Sequence, residues 1–206
     1  MSQLFTSTID VKTRSLLMRL QNIPLLKDMR LSGGTALALQ LGHRHSINLD
    51  FFGKMTVSWN ELQQTLEQQG LTCIVRSESP MICITQIEHI KVDFVDYSSV
   101  KWIEPAVVTD GIIMAGLKDI GAMKIASITG RGDKKDFIDL YFLLQHFSLK
   151  ELIECYTLKF ETVSVFHVIR SLTYFDDAEA SPLPMLFAQF DWNEAKETIR
   201  KAVIGL

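Results

Sequence analysis

The sequence predicts an α+β (α/β) fold, with an N-terminal half holding a small mixed β-sheet flanked by helices and a C-terminal helical bundle. Between residues 29 and 95, short β-branched and apolar runs alternate with helix-forming segments, whereas beyond Leu117 the apolar positions recur at helical spacing. A chain of 206 residues, 47% of them hydrophobic, buries a sizeable core without staples. The change of character is expected near 105–117, dividing an α/β domain over 1–110 from a helical domain over 111–206 that completes the site.

Ile9, Leu16, Leu17, Leu20 and Ile23 fall at near-helical spacing, and Pro24 ends that first helix. Residues 29–31 read as a brief strand and Ser32-Gly33-Gly34-Thr35 as a turn; a helix then runs over 36–41 until Gly42 stops it. The basic loop His43-Arg44-His45-Ser46 leads into a strand over 47–52. Ser58 and Glu61 have capping-box spacing for a helix that stops at Gly70. Residues 71–76, 81–87 and 90–95 read as three strands, the first two a hairpin; a turn centred on Glu78 sets Cys73 opposite Cys83. Helices follow at about 118–129, about 134–146, after the Ser148 and Glu151 capping box, at about 161–173 and at about 193–204, with Pro182 and Pro184 marking the loop before the last.

Composition narrows the function. No run of about 18 apolar residues occurs, so no membrane span is predicted. The N-terminus lacks the basic start and apolar core of a secretory signal, and a cytoplasmic location is expected. Cys73, Cys83 and Cys155 are odd in number and lack CxxC spacing, which argues for buried free thiols rather than disulfides or zinc. A net charge of −3 gives no global attraction to nucleic acid, so any RNA contact has to be local.

Alternate residues of a strand share a face, so Asn48 and Asp50 project together while Leu49 and Phe51 turn into the core. The same rule turns Val92 and Phe94 inward and Asp93 outward, where an adjacent strand brings it beside Asp50. Gathered carboxylates suit Mg²⁺, which takes oxygen ligands and substrate phosphates. An isolated strand aspartate is more often a solvated charge. The balance shifts because Gly33 and Gly34 open a helix whose amides and dipole favour phosphate.

Lys124, Ser127 and Arg131, at i, i+3 and i+7, form a cationic stripe on one helix face. In the next helix Phe137, Leu140, Tyr141 and Leu144 form the buried stripe, leaving Lys135, Asp136 and Asp139 off it. A purely structural account has Asp133 capping that helix, Lys135 pairing with Asp139 at i+4 and Asp136 favouring the first turn. Arg44 is placed to clamp a phosphate bidentately, Ser46 has an alternative use in bonding its own backbone, and His43 and His45 are left open.

Gly33-Gly34-Thr35-Ala36-Leu37, His43-Arg44, Ser46 and Leu49-Asp50-Phe51-Phe52 resemble the GGTALAL...HRxSxDLDFF signature of the AbiEii/AbiGii-type toxin nucleotidyltransferases, which are DNA polymerase β-like. Met123-Lys124, Arg131, Lys135-Asp136 and Asp139-Leu140 resemble that family's K...R...KDxxDL segment, and the similarity spans about 32–144. It implies Mg²⁺-dependent transfer of a nucleoside monophosphate from an NTP to an acceptor hydroxyl. The 3′ end of tRNA is an acceptor among characterised relatives, and a cognate antitoxin protein is an implied partner. By position, the resemblance implies Asp50, Asp93, Lys124 and Asp136 as catalytic residues and Asp50, Asp93 and Asn48 as the metal set. It implies Gly33, Gly34, Thr35, Arg44, Ser46 and Arg131 as nucleotide-binding.

The family pattern has Asp-x-Asp where this chain has Asn48-Leu49-Asp50. An amide oxygen ligates Mg²⁺ but brings no charge, so three outcomes follow: one-metal catalysis on Asp50 and Asp93, a changed site with another carboxylate, or a lapsed enzyme that binds nucleotide or a partner. Nucleotidyl transfer to a small molecule such as an antibiotic is a further alternative.

Overall fold

A computed structural model describes residues 3–160 and 164–206. Helix α1 (Val11–Gln21) is capped by Asp10, whose carboxylate accepts the Thr13 amide at 2.7 Å. Strand β1 (Met29–Ser32) feeds helix α2 (Gly33–Leu41) without a loop, and Gly42 closes α2 at φ 72°. Strand β2 (Leu49–Gly53) starts two residues later than the alternation predicts. The Asn48 carbonyl is taken by the buried Thr35 hydroxyl, which holds Asn48 off the ladder.

Helix α3 (Trp59–Gln68) has only half of its predicted capping box: Ser58 Oγ accepts the Glu61 amide. Strands β3 (Cys73–Glu78), β4 (Ile82–Ile87) and β5 (Ile90–Asp96) form the predicted meander. Its register differs from expectation, since a bulge between Val75 and Ser77 and a turn over 79–81 set Cys73 opposite Ile87 and Cys83 opposite Glu78. All three cysteines are free and buried, and burial pushes the Cys83 thiol up to about 11.

Two short strands, β6 (Val107–Thr109) and β7 (Ile112–Met114), were not foreseen. They form a hairpin across the expected 110/111 boundary, and β7 pairs parallel to β1. The seven-stranded mixed sheet has the order β3-β4-β5-β2-β1-β7-β6.

Helices α4 (Leu117–Gly130), α5 (Lys134–Leu143), α6 (Leu149–Lys159), α7 (Val165–Leu172), α8 (Asp176–Glu179) and α9 (Trp192–Ile204) complete the chain. The capping box at Ser148 and Glu151 is complete, whereas positions 161–163 of the expected fourth helix lie outside the described residues. Helix α4 is the hub, packing on α2, α5, α6 and α7. No helix among the described residues is long and apolar enough to cross a membrane.

The core face of the sheet follows the predicted alternation: Leu49, Phe51, Val92 and Phe94 are fully buried, with the two phenyl rings stacked at 5.7 Å. Each such side chain contributes roughly 1.5–3 kcal/mol on burial. A buried Lys159–Asp119 pair at 2.6 Å ties α6 to α4, and Asp119 also accepts the Ile103 and Glu104 amides. Its carboxylate lone pairs are therefore satisfied, the condition under which a buried ion pair is tolerated.

Candidate active site

Parallel pairing of β2 with β5 sets Asp50 directly opposite Asp93. The face opposite the core therefore presents two carboxylates side by side. Burial raises the Asp50 carboxyl above its ordinary range, and the neighbouring Asp93 charge adds to the shift. Asp93 Oδ2 pairs with Lys91 at 2.5 Å, while its buried Oδ1 has no partner among the described residues.

These groups open into a cavity of about 520 Å³, walled by Gly33, Gly34, Arg44, Ser46 and Asn48 on one side and by Lys124, Ser127 and Arg131 of the α4 face on another. The predicted cationic stripe is thus aimed at the paired carboxylates. Glycine is required at the entry to α2 for two separate reasons. Gly33 holds φ 64°, and a Cβ there would run into the Asp50 carboxylate; a Cβ on Gly34 would run into the Arg44 guanidinium.

Behind the cations lies a buried ionic lattice. Arg44 binds Asp139 through Nε at 2.6 Å and Nη2 at 2.8 Å, and His43 Nε2 lies 2.8 Å from Asp139 Oδ1. Lys124 Nζ reaches Asp139 at 2.5 Å and Asp136 at 2.9 Å, and Arg131 Nε bonds Asp136 at 3.0 Å. Arg131 also lies 3.3 Å from Asp133, so Arg44, Lys124 and Arg131 are held by three carboxylates at the wall of the cavity. Burial opposes ionisation of Asp139, but Arg44 and Lys124 outweigh it and hold that carboxyl well below the ordinary range. Burial likewise opposes the Lys124 charge, and Asp139 and Asp136 overcome it. His43 is pushed down by burial and stays neutral near pH 7, donating from Nε2 to Asp139 and leaving Nδ1 unpartnered among the described residues.

Not every residue singled out from the sequence meets the cavity. Asp50, Asp93, Lys124, Gly33, Gly34, Arg44, Ser46, Arg131 and Asn48 line it. Thr35 is buried, giving its hydroxyl to the Asn48 carbonyl within 2.8 Å of Ser46 Oγ, and so fixes the loop carrying Asn48. Asp136 is fully buried behind Lys124 and Arg131 as their anchor. The expected Lys135–Asp139 pair is replaced: Lys135 lies 3.5 Å from Asp133, and Asp139 turns inward because α5 is buried on nearly all sides and its cations come from α2's loop and α4.

Sequence reasoning missed Lys91, Pro184 and Met185 as cavity residues, whereas Asp139 belongs to the segment that the resemblance picks out. Lys91 shares its strand face with Asp93, so the alternation that found Asp93 was the available signal. Asp139 has its three partners far away in sequence. Pro184 and Met185 also line the cavity, held by an antiparallel bridge between Arg44 and Leu186 and by the His45 amide on the Met185 carbonyl.

Residues 15–112 match the family described as nucleotidyl transferase AbiEii toxin, Type IV TA system. An uncharacterized protein of Aquifex aeolicus is 32% identical over 92% of this chain and 93% of its own length. The chain belongs to the AbiEii family.

AbiEii relationship and architecture agree, since a solved nucleotidyltransferase toxin shares the fold. MenT4, a nucleotidyltransferase toxin of Mycobacterium tuberculosis, superposes with a TM-score of 0.56 at 13% identity, covering 94% of this chain and 83% of that one. JHP933 from Helicobacter pylori does so with a TM-score of 0.58 at 17% identity, covering 93% and 87%.

Nucleotidyltransferases of this kind typically use a divalent cation. Among the described residues no group of three or more His, Cys, Asp or Glu side chains gathers as metal ligands. The two-carboxylate set of this AbiEii member nevertheless fits one divalent cation: Asp50 and Asp93 are adjacent, Asp93 Oδ1 is an orphaned buried oxygen, and Asn48 lines the same cavity.

Proposed function

We propose that this protein transfers a nucleoside monophosphate from an NTP to an acceptor hydroxyl with Mg²⁺, that the acceptor is the 3′ end of tRNA, and that it works in the cytoplasm under control of a cognate antitoxin protein. The observation that supports the chemistry best is the Asp50–Asp93 register facing the Lys124–Arg131 wall across one cavity. Opposite charges are laid out as the reaction needs them: anionic groups for the attacking hydroxyl, cationic groups for the leaving pyrophosphate.

In this reading Asp50, Asp93 and Asn48 hold Mg²⁺, which when bound neutralises phosphate charge and polarises the phosphoryl oxygens. Lys124, Arg131 and Arg44 hold the triphosphate, with the Gly33 and Gly34 backbone close beside it. The acceptor oxygen forms a bond to the α-phosphorus as the bond to the β-phosphate oxygen breaks. Pyrophosphate leaves toward the cations, and the hydroxyl proton passes to the Asp50–Asp93 carboxylate pair. Asp136 and Asp139 act as positioning residues by fixing the cations.

Incubation with each labelled NTP, Mg²⁺ and total tRNA tests the reading. Label transferred to tRNA from one or more NTPs supports it, and no transfer from any of the four overturns it.

Asn48 favours a second reading, a lapsed enzyme that retains nucleotide binding, because the acidic set is one charge short of the Asp-x-Asp pattern. NTP binding without turnover, together with turnover switched on by Asn48→Asp, selects it.

A further inference from the structure

A second cavity of about 570 Å³ adjoins the first, sharing Ile47, Asn48 and Lys91 with it but none of its other cations. It runs along β4 and β5 away from Asp50 and Asp93, past Ile84, Gln86 and Lys91, whereas Lys124 of α4 and Arg131 just beyond that helix line the first cavity and not the second. In an in-line displacement the attacking and leaving oxygens occupy opposite sides of the phosphorus. If pyrophosphate leaves toward α4, the acceptor enters from this second cavity.

Its walls are chemically specific. Ile47, Ile84 and Ile90 offer apolar surface to a flat ring. Thr13 is fully buried beneath the cavity floor beside the Asp10 carboxylate. Arg76 and His89 bring basic groups to the rim, Lys91 there is paired with Asp93, and Asp10 accepts the Thr13 amide.

The turn presenting His89 is strained. Glu88 and His89 hold φ 49° and 69° in the two-residue connection between β4 and β5, where Asn-Gly or Asp-Gly is the relaxed choice. This left-handed backbone sets the imidazole at the cavity rim.

We infer that this cavity binds the terminal nucleotide of a single-stranded RNA acceptor, with its base against the isoleucines and its phosphates at Arg76 and His89. The inference rests on the nucleotidyltransferase reading above.

The test uses the full chain, a fluorescein-labelled single-stranded RNA octamer with a free 3′ hydroxyl followed by anisotropy, and ATP and GTP binding followed by calorimetry. Arg76→Glu is expected to weaken octamer binding about tenfold, and His89→Gly severalfold with an unchanged or higher thermal midpoint, because glycine relieves the left-handed backbone. NTP affinity is expected to stay the same in both variants. Octamer affinity unchanged in both variants overturns the inference, as does a wild-type protein that binds NTP but no octamer, or octamer binding insensitive to both changes but competed by an aminoglycoside. A wild-type protein that binds no NTP sinks the nucleotidyltransferase reading itself and is told apart by the calorimetry.

Discussion

Arg44 grips Asp139 with two parallel hydrogen bonds, Nε to Oδ1 and Nη2 to Oδ2, fastening the loop between α2 and β2 to helix α5. The same guanidinium lies against Gly34 at the cavity wall, so one side chain joins scaffold and site. The planar fork is specific to arginine.

Removing Asp139 leaves the buried Arg44 charge without its carboxylate and takes from Lys124 one of its two partners. Asp139→Ala is expected to cost about 3–5 kcal/mol in urea denaturation, the scale for leaving a buried ion without its partner. Arg44→Lys, which keeps the charge and loses the fork, is expected to destabilise and to weaken NTP binding together.

Asp50→Asn and Asp93→Asn separate function from stability. Each is expected to lower nucleotidyl transfer by at least about a hundredfold, several kcal/mol of lost charge stabilisation at the transition state. The thermal midpoint of Asp50→Asn is expected not to fall, because the substitution removes a buried charge beside a like charge. A drop in midpoint comparable to that of Asp139→Ala contradicts this assignment.

Asn48→Asp restores a third carboxylate. Mn²⁺ affinity measured by electron paramagnetic resonance is expected to tighten by about tenfold or more, since two unit charges at about 4 Å interact by roughly 4 kcal/mol at an effective dielectric near 20 before desolvation is counted. Unchanged affinity excludes Asn48 from the cation's surroundings.

The pH dependence carries two opposite signs. Asp139 and Asp136 are held below their ordinary range, so their contribution is present above the unfolded aspartate value of about 3.9 and is lost as pH falls through the folded values. Asp50 is raised, so its contribution is present below the unfolded value and is lost as pH rises through the folded one. Urea midpoints of wild type, Asp139→Asn and Asp50→Asn between pH 3 and 8 check this. The gap between wild type and Asp139→Asn is expected to close toward acid, and that between wild type and Asp50→Asn to open toward neutral pH.

Strand alternation put Asp50 and Asp93 on the face opposite the core, and helical spacing put Lys124, Ser127 and Arg131 on one face; the pairing register then sets the two carboxylates side by side. All but the pairing are local periodicities, and each is written into a few neighbouring residues. The fate of Asp136 and Asp139 was not legible, because a helical stripe argument allows one buried face and α5 is enclosed on nearly all sides. Strands β6 and β7, three residues each, are too short to show a period. The Arg44–Leu186 bridge has no local signature at all, since its two sides are separated by most of the chain.

That bridge, with the Arg44–Asp139 grip, dictates when the site comes into being. The loop that faces the two carboxylates receives its fastenings from Asp139 and from the segment around Met185, both made long after Arg44. At about 5–20 residues per second, synthesis of the intervening stretch occupies on the order of ten seconds. Throughout that interval the emerging polypeptide carries its nucleotide loop unanchored, and a chain truncated before Asp139 never builds the pocket. The cavity is therefore completed only when translation is nearly finished.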